Sequence, residues 1–239
     1  MARKALEIIC ENNKIAKEKS MPICQDTGMA IIFAKIGMNV FIDSDKDFNE
    51  IVNEGVRRAY INNYFRMSVV SDPLVRINTE DNTPAIVYTE LVKGDTIELT
   101  AIPKGFGSEN MSRIKMFNPT ASKEEIIDFI VETVKIADAK PCPPVVVGVG
   151  IGGTFDYCAV LSKLALSRPI NVTNPPPIYS EMERISLKRI NDLGIGAQGF
   201  SGSTTALGVN IEQFSTHIAG LPVAVNIGCH VTRHTEVII

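Results

Sequence analysis

Residues 145–166 read VVVGVGIGGTFDYCAVLSKLAL, a valine-rich run interrupted by glycines and followed by a helical pattern. The first part predicts a buried strand and the second a helix. Gly148, Gly150 and Gly153 satisfy the G-x-G-x-x-G pattern, which binds dinucleotides when it lies between a strand and a helix. Such a fold also needs an acidic residue about 20 positions later, on the next strand. That region reads SRPINVTNPPP instead. We therefore predict a glycine-rich turn whose backbone approaches another kind of ligand or cluster.

Helical and strand patterns alternate around this centre. Apolar spacing predicts helices over 47–65, 123–139 and 180–193, and the second begins with a capping box of Ser122 and Glu125. Rich β-branched content predicts strands over 29–36, 84–92, 95–102, 144–149 and 221–227. Lys93-Gly94 is a plausible hairpin turn between two of them. The pattern predicts an α/β fold of mixed α and β elements, with mixed sheets and flanking helices in two α/β subdomains. We take residues 1–239 as one functional domain, with the proline-rich segment 171–180 as the expected subdomain boundary.

Composition narrows the class of protein. The 239 residues are 45% hydrophobic and 21% charged, with a net charge of −3. That balance leaves no basic footprint for nucleic acid or an anionic membrane. No apolar run approaches the roughly 20 residues that span a bilayer, and the N-terminal stretch lacks the apolar core of a signal peptide. We expect a cytoplasmic protein with neither nucleic-acid nor membrane partners.

The five cysteines are too few and too scattered for a disulfide framework. They form no C-x-x-C pair. Roles as free thiols, as metal ligands or as catalytic groups remain open. Cys10 and Cys158 lie in helical patterns among apolar neighbours, and we predict both to be small core residues. All three histidines lie near Cys229, but this spacing matches no common zinc finger. Two more glycine-rich segments, 104–116 and 196–208, carry many polar side chains. They indicate loops whose backbone closely surrounds a bound group.

Five segments in order resemble one family across essentially the whole chain. They are PICQDTG (22–28), KGFGSEN (104–110), KPCPPVVVGVGIGGTFDY (140–157), GIGAQGFSGSTTALGV (194–209) and HIAGLPVAVNIGCHVTRH (217–234). Together they resemble the α subunit of the two-subunit class I fumarases, a pattern that the α subunit of L-tartrate dehydratase shares. The resemblance implies an oxygen-sensitive [4Fe-4S] hydro-lyase.

The resemblance also implies a set of site residues. The cluster ligands would be Cys24, Cys142 and Cys229, one from each of three motifs. With three thiolates instead of four, one iron keeps an open position and can act as a Lewis acid. The remaining implied residues are Asp26 and His217 as catalytic groups, and Gln25, Arg66 and Gly107 as substrate-binding groups. Asp26 would be either an acid–base group or an orienting one.

The expected reaction is the reversible hydration of fumarate to (S)-malate, a step of the tricarboxylic acid cycle. The alternative is dehydration of L-tartrate to oxaloacetate, since both substrates are four-carbon dicarboxylates. Single-chain members of the family carry a further C-terminal domain that supplies site residues, and this sequence has nothing like it. We therefore expect a separate β subunit as partner, in a larger oligomer. A non-enzyme alternative is a zinc- or cluster-binding regulatory module that uses the same cysteines.

Overall fold

The computed structural model describes all 239 residues, which form two compact units. One unit contains Met1–Met21 and Gly107–Thr232, and the other contains Pro22–Phe106 and Arg233–Ile239. The helices are α1 Ala2–Glu18, α2 Phe48–Asn62, α3 Phe106–Glu109, α4 Lys123–Ala137, α5 Phe155–Ala165 and α6 Pro177–Asp192, with a 3-10 helix at Ala197–Gly199. The strands are β1 Met29–Gly37, β2 Ile86–Val92, β3 Ile97–Lys104, β4 Arg113–Phe117, β5 Val145–Gly153, β6 Ala206–Thr216, β7 Leu221–Gly228 and β8 Thr235–Ile238. None of the helices is both long and apolar enough to cross a membrane.

The opening stretch forms β5 and α5, the centre of the larger unit. Its sheet has the order β4-β7-β5-β6, with β5 parallel to β6 and antiparallel to β7. Side chains alternate across a strand. Val145, Val147 and Val149 therefore share one face, where they join a core cluster with residues of α4 and α6. The opposite face of β5 lies against α5. This mixed sheet between helices confirms the predicted fold class.

The glycines of this stretch allow α5 to pack closely on β5. A Cβ atom added to Gly148 would lie 2.2 Å from the carbonyl oxygen of Ser162, and one added to Gly150 would lie 2.0 Å from that of Cys158. Both glycines lie inside the strand and face the helix backbone. The prediction of a turn that approaches a ligand was therefore wrong for them. A G-x-G pattern also arises where a helix rests directly on a strand.

Gly150→Ala tests this packing. Because the added methyl group meets helix backbone that cannot rotate away, we expect unfolding free energy to fall by about 3 kcal/mol or more. Gly55→Ala is the matched control, since Gly55 lies in α2 and an added Cβ meets nothing within 4 Å. That change should instead stabilise the protein by about 0.5–1 kcal/mol. Urea denaturation of both variants measures the difference, and equal stabilities would contradict the account.

The smaller unit is also built on a mixed sheet. Its strand order is β2-β1-β3-β8, and β1 pairs in parallel with β2 and in antiparallel with β3. α2 begins with a capping box of Asp47 and Glu50. Its residues Val56 and Tyr60 pack with Ala30 and Ile32 of β1 in a separate core cluster.

The predicted hairpin at Lys93-Gly94 was wrong. β2 and β3 do not pair with each other, because β1 lies between them. The chain at the end of β1 is hydrogen-bonded to both neighbouring segments. The Met38 N–H donates to the carbonyl of Val92, at the end of β2, and the Gly37 N–H donates to the carbonyl of Thr96, just before β3. A short glycine turn between two strand patterns therefore did not imply direct pairing.

Most other element predictions agree with the structure. The capping box of Ser122 and Glu125 begins α4. α6 begins earlier than predicted, at Pro177, a residue type favoured in the first helical turn. Residues 166–176 connect α5 to α6, so segment 171–180 covers the end of this connection and the first turn of α6, all within the larger unit.

Candidate functional site

The sheet of the larger unit brings Cys142 and Cys229 to the same edge. Cys142 precedes β5 and Cys229 follows β7. The two strands are antiparallel, and Val146 is paired with Gly228. The start of one strand therefore meets the end of the other. The peptide N–H that joins Cys229 to His230 donates to the carbonyl of Cys142 at 3.3 Å. We call residues 142–143, 198 and 229–230 the cysteine edge.

Two side chains tie the loops of the cysteine edge together. The ring nitrogen Nδ1 of His230 lies 2.9 Å from the carbonyl oxygen of Cys142. Gln198 donates to the carbonyl of Pro143 from its backbone N–H and from its side-chain amide, each at 2.8 Å. Since β6 is parallel to β5, the loop before β6 that carries Gln198 reaches this same edge. The sequence marked the segments of Gln198 and His230 but assigned neither residue a role.

In the smaller unit, the turn Cys24–Gly28 is fixed by its own acidic side chain. Oδ1 of Asp26 accepts from the backbone N–H of Gly28 at 3.0 Å, and Oδ2 accepts from that of Phe106 at 3.1 Å. Both carboxylate oxygens thus bind main chain. The Sγ of Cys24 donates to the side-chain oxygen of Gln25 at 3.2 Å. Asp26 therefore joins this turn to the backbone after Lys104.

Tyr60 and Arg233 form hydrogen bonds with backbone carbonyl groups of this turn. The phenol of Tyr60 lies within 2.9 Å of the carbonyl oxygens of both Thr27 and Gly28. Burial raises the pKa of Tyr60 to about 12, so the phenol keeps its proton and remains a donor at neutral pH. Arg233 donates to the Asp26 carbonyl at 2.9 Å. No sequence pattern indicated a role for either residue in the site.

Arg66 and Gln25 present polar groups at the surface of this unit. Both residues are exposed. The carbonyl of Arg66 accepts from the Thr27 hydroxyl at 3.2 Å, which ties it to the same turn. No hydrogen bond or ion pair engages its guanidinium. An unpaired guanidinium beside the turn is able to bind a carboxylate in a bidentate manner.

Gly107 lies in the larger unit, where a half-buried carboxylate holds the segment that follows it. A Cβ atom added at Gly107 would meet nothing within 4 Å, so the space beside its Cα is open. Two residues on, Glu109 forms an ion pair with Lys163 of α5 and accepts from the Asn226 amide of β7 at 3.0 Å. Asn226 lies in the motif 217–234, but the sequence indicated neither its contact with Glu109 nor that of Lys163.

His217 lies far from the cysteine edge of the same chain. It lies in the turn between β6 and β7, and its neighbour Thr216 donates to the carbonyl of Gly153 at the far end of β5. Cys229 lies beyond the eight residues of β7, which at about 3.3 Å per residue span about 26 Å. The backbone N–H of Ala219 donates to Nδ1 of His217 at 3.1 Å, so the neutral ring carries its hydrogen on Nε2. Its Nε2 is then a donor.

None of the five cysteines is part of a disulfide. Cys158 is fully buried, as predicted, and burial raises its pKa to about 11. The prediction for Cys10 was wrong, because Cys10 is exposed on α1. Only Ala5 and Ala16 of that helix are buried, so α1 contributes a narrower face to the core than its apolar pattern suggested.

The donor chemistry of the three motif cysteines suits iron and sulfide. Cys142 is exposed, and Cys24 and Cys229 are half-buried, so each thiol is accessible. Thiolates are the usual ligands of iron–sulfur clusters. In the structure, no three His, Cys, Asp or Glu side chains are grouped closely enough to hold a single metal ion. The fit therefore rests on ligand type and accessibility.

Comparison with known proteins agrees with the resemblance that the sequence motifs carry. The class is that of hydro-lyases: residues 1–238 match the sequence profile described as fumarate hydratase (Fumerase), and the chain belongs to that family. A relative from Methanocaldococcus jannaschii, provisionally named L(+)-tartrate dehydratase subunit alpha, is 43% identical over 98% of this chain and 83% of its own. The L(+)-tartrate dehydratase subunit alpha of Escherichia coli O157:H7 is 31% identical, over 96% of this chain and 76% of its own. That of Escherichia coli K12 is 30% identical over the same shares.

Proposed function

We propose that this chain is the α subunit of a two-subunit [4Fe-4S] hydro-lyase that acts on a four-carbon dicarboxylate. The observation that carries the proposal is the cysteine edge. Two motif cysteines that are 87 positions apart in sequence meet within one hydrogen bond of backbone. Membership of the fumarate hydratase family supports the reaction class, and relatives named as α subunits support a β partner.

Cys24, Cys142 and Cys229 would hold the cluster. When bound, it supplies Lewis-acid chemistry at an iron that lacks a fourth protein ligand. Cys158 is excluded as a ligand because its thiol is fully buried in the packing of α5 on β5. Cys10 is accessible, but it belongs to α1 and to none of the motif loops.

The substrate groups of this chain bind and orient the dicarboxylate. Arg66 would bind one carboxylate through its unpaired guanidinium. The backbone of Gly107 would make a further contact, since no side chain fills the space beside its Cα. Gln25 would contact the substrate from the turn that carries Cys24.

We assign Asp26 an orienting role. Its two oxygens hold the Cys24–Gly28 turn through backbone N–H groups, and this arrangement favours a fixed carboxylate over one that exchanges protons with substrate. The group that moves the proton at C3 would then come from the β subunit.

His217 would act in the site of a second copy of this chain. It lies about 26 Å from Cys229 along β7, too far to contact a molecule held at the cysteine edge of its own chain. Its turn is exposed, with the neighbouring Ile218 91% accessible. In this arrangement the Nε2–H of His217 donates to substrate, and the enzyme contains at least two α subunits.

Turnover assays with the cognate β subunit test the function. Fumarate is the first candidate substrate, and we expect it to be hydrated to (S)-malate. L-Tartrate is the second candidate, favoured by the names of the relatives, with oxaloacetate as product. Anaerobically reconstituted complex should turn over one of the two. Failure with both, in complex that retains its cluster, would overturn the proposal.

Arg66→Ala should raise the KM for the dicarboxylate by about tenfold to a hundredfold, because a charge-assisted pair with a carboxylate contributes about 1.5–3 kcal/mol. Arg58→Ala is the matched control. Arg58 is an exposed arginine that pairs only with Glu54 on its own helix, so its removal should leave the KM unchanged. Initial-rate kinetics measure both. Equal KM values for the two variants would remove Arg66 from the site.

A further inference from the structure

Two consecutive carbonyl groups, those of Cys142 and Pro143, are each held by a pair of donors from one residue. The carbonyl of Cys142 faces the backbone N–H of His230 at 3.3 Å and its ring Nδ1 at 2.9 Å. The carbonyl of Pro143 accepts from the backbone N–H and the side-chain amide of Gln198, both at 2.8 Å. Three loops, those before β5 and β6 and the one after β7, are joined in this way.

The geometry determines the tautomer of His230. A carbonyl oxygen is only an acceptor, so Nδ1 must carry the hydrogen that it donates to Cys142. The Gln198 amide lies 3.3 Å from the same nitrogen, but that nitrogen then has no lone pair to offer. The amide hydrogen of Gln198 therefore goes to Pro143. Each side chain has one defined partner on the loop of Cys142.

The backbone at both ends of this arrangement is in an unusual conformation. Cys142 and Gln198 each have φ of +54°, in the left-handed region that side chains seldom adopt. Such a conformation persists only where the surrounding contacts maintain it. The paired hydrogen bonds to the carbonyls of Cys142 and Pro143 supply contacts of this kind. One of these carbonyls belongs to Cys142 itself, and its donor, His230, directly follows Cys229.

We propose that His230 and Gln198 are positioning residues, which hold the loops of Cys142 and Cys229 in register before any cluster is bound. The proposal rests on the proposed function, in which both cysteines are ligands. Groups that orient metal ligands without touching the metal contribute about 10- to 100-fold to metal retention. His230 acts on both ligands at once: it is covalently joined to Cys229 and hydrogen-bonded to Cys142.

Side-chain substitutions at His230 separate this role from general stability. Asparagine places an amide N–H where Nδ1–H stands, whereas glutamine places its amide where Nε2 stands. We expect His230→Ala and His230→Gln in the reconstituted complex to lose visible cluster absorbance to a chelator about 10- to 100-fold faster than wild type. His230→Asn should lose it at nearly the wild-type rate. His234→Ala is the matched control, an exposed histidine with no hydrogen bond in the structure.

A readout on the apoprotein of the full chain makes the test independent of the cluster. Loss of one hydrogen bond should speed amide hydrogen exchange in segments 139–145 and 195–202 about two- to tenfold in His230→Ala and in Gln198→Glu. Exchange in the core strands should stay unchanged. Unaltered exchange in both variants, or equal chelator sensitivity of the alanine and asparagine variants, would overturn the positioning role. If the proposed function itself is wrong, wild type takes up no cluster, and the exchange measurement alone decides whether the loops are held.

Discussion

Serine in place of Cys24, Cys142 or Cys229 is expected to abolish cluster binding, and with it all measurable turnover by the complex. Each thiolate would be one of only three protein ligands, so no spare ligand replaces a lost one. A serine hydroxyl is a poor substitute because it is not ionised at neutral pH and lacks the softness of sulfur. The measurements are iron and sulfide content after anaerobic reconstitution, together with turnover in the presence of the β subunit.

Two cysteines serve as matched controls for that experiment. Cys10→Ser changes an exposed thiol on α1, and Cys158→Ala removes a fully buried thiol from the α5 packing without adding a polar group. Both variants should retain full iron and sulfide content. The alanine change should lower only stability, through the small cavity that it leaves. Loss of the cluster in Cys158→Ala would mean that the ligand set is wrong.

Complementation between two inactive variants is the second expected result. His217→Ala and Cys229→Ser should each be inactive when expressed alone with the β subunit. Co-expression of the two variant chains should restore turnover, because one site in each mixed pair combines Cys229 from one copy with His217 from the other. Random pairing of equal amounts in a two-fold assembly predicts about a quarter of wild-type activity.

The control pairs two variants that affect the same end of the sheet. Cys142 and Cys229 lie together at the cysteine edge, so both belong to one copy's contribution. Co-expression of Cys142→Ser with Cys229→Ser should therefore restore nothing, since each copy lacks a ligand of its own cluster. Failure of the His217→Ala and Cys229→Ser pair, alongside confirmed mixed assemblies, would contradict the assignment of His217 to a second copy.

Local signals in the sequence predicted much of the fold. The capping box of Ser122 and Glu125 marked the start of α4, and the valine run marked β5. In both cases the signal depends on neighbours a few positions away, so no tertiary information was needed. The strand β6 was missed because its start lies within the glycine-rich segment 196–208, whose composition resembles a loop.

Local sequence patterns did not predict the order of the strands. The insertion of β1 between β2 and β3 depends on hydrogen bonds between residues more than 50 positions apart, such as that from Met38 to Val92. The short turn at Lys93-Gly94 has the same sequence whether the strands pair directly or flank a third. Sequence pattern therefore identified the strands but not their order.

The candidate site shows the same division. Resemblance implied the cysteines, Arg66 and His217 by number, but it did not show that the strand β7 separates His217 from Cys229 within one chain. Tyr60, Gln198 and Lys163 support site loops through contacts with residues distant in sequence. No motif marked these roles, because each one depends on the packing of two elements.

Metal analysis of the α chain tests the central claim most directly. Anaerobic reconstitution of the chain with its β subunit, followed by iron, sulfide and zinc determination, should give about four iron and four sulfide per α chain and no zinc. Stoichiometric zinc without iron would contradict the hydro-lyase account and favour a zinc-binding regulatory module built on the same cysteines.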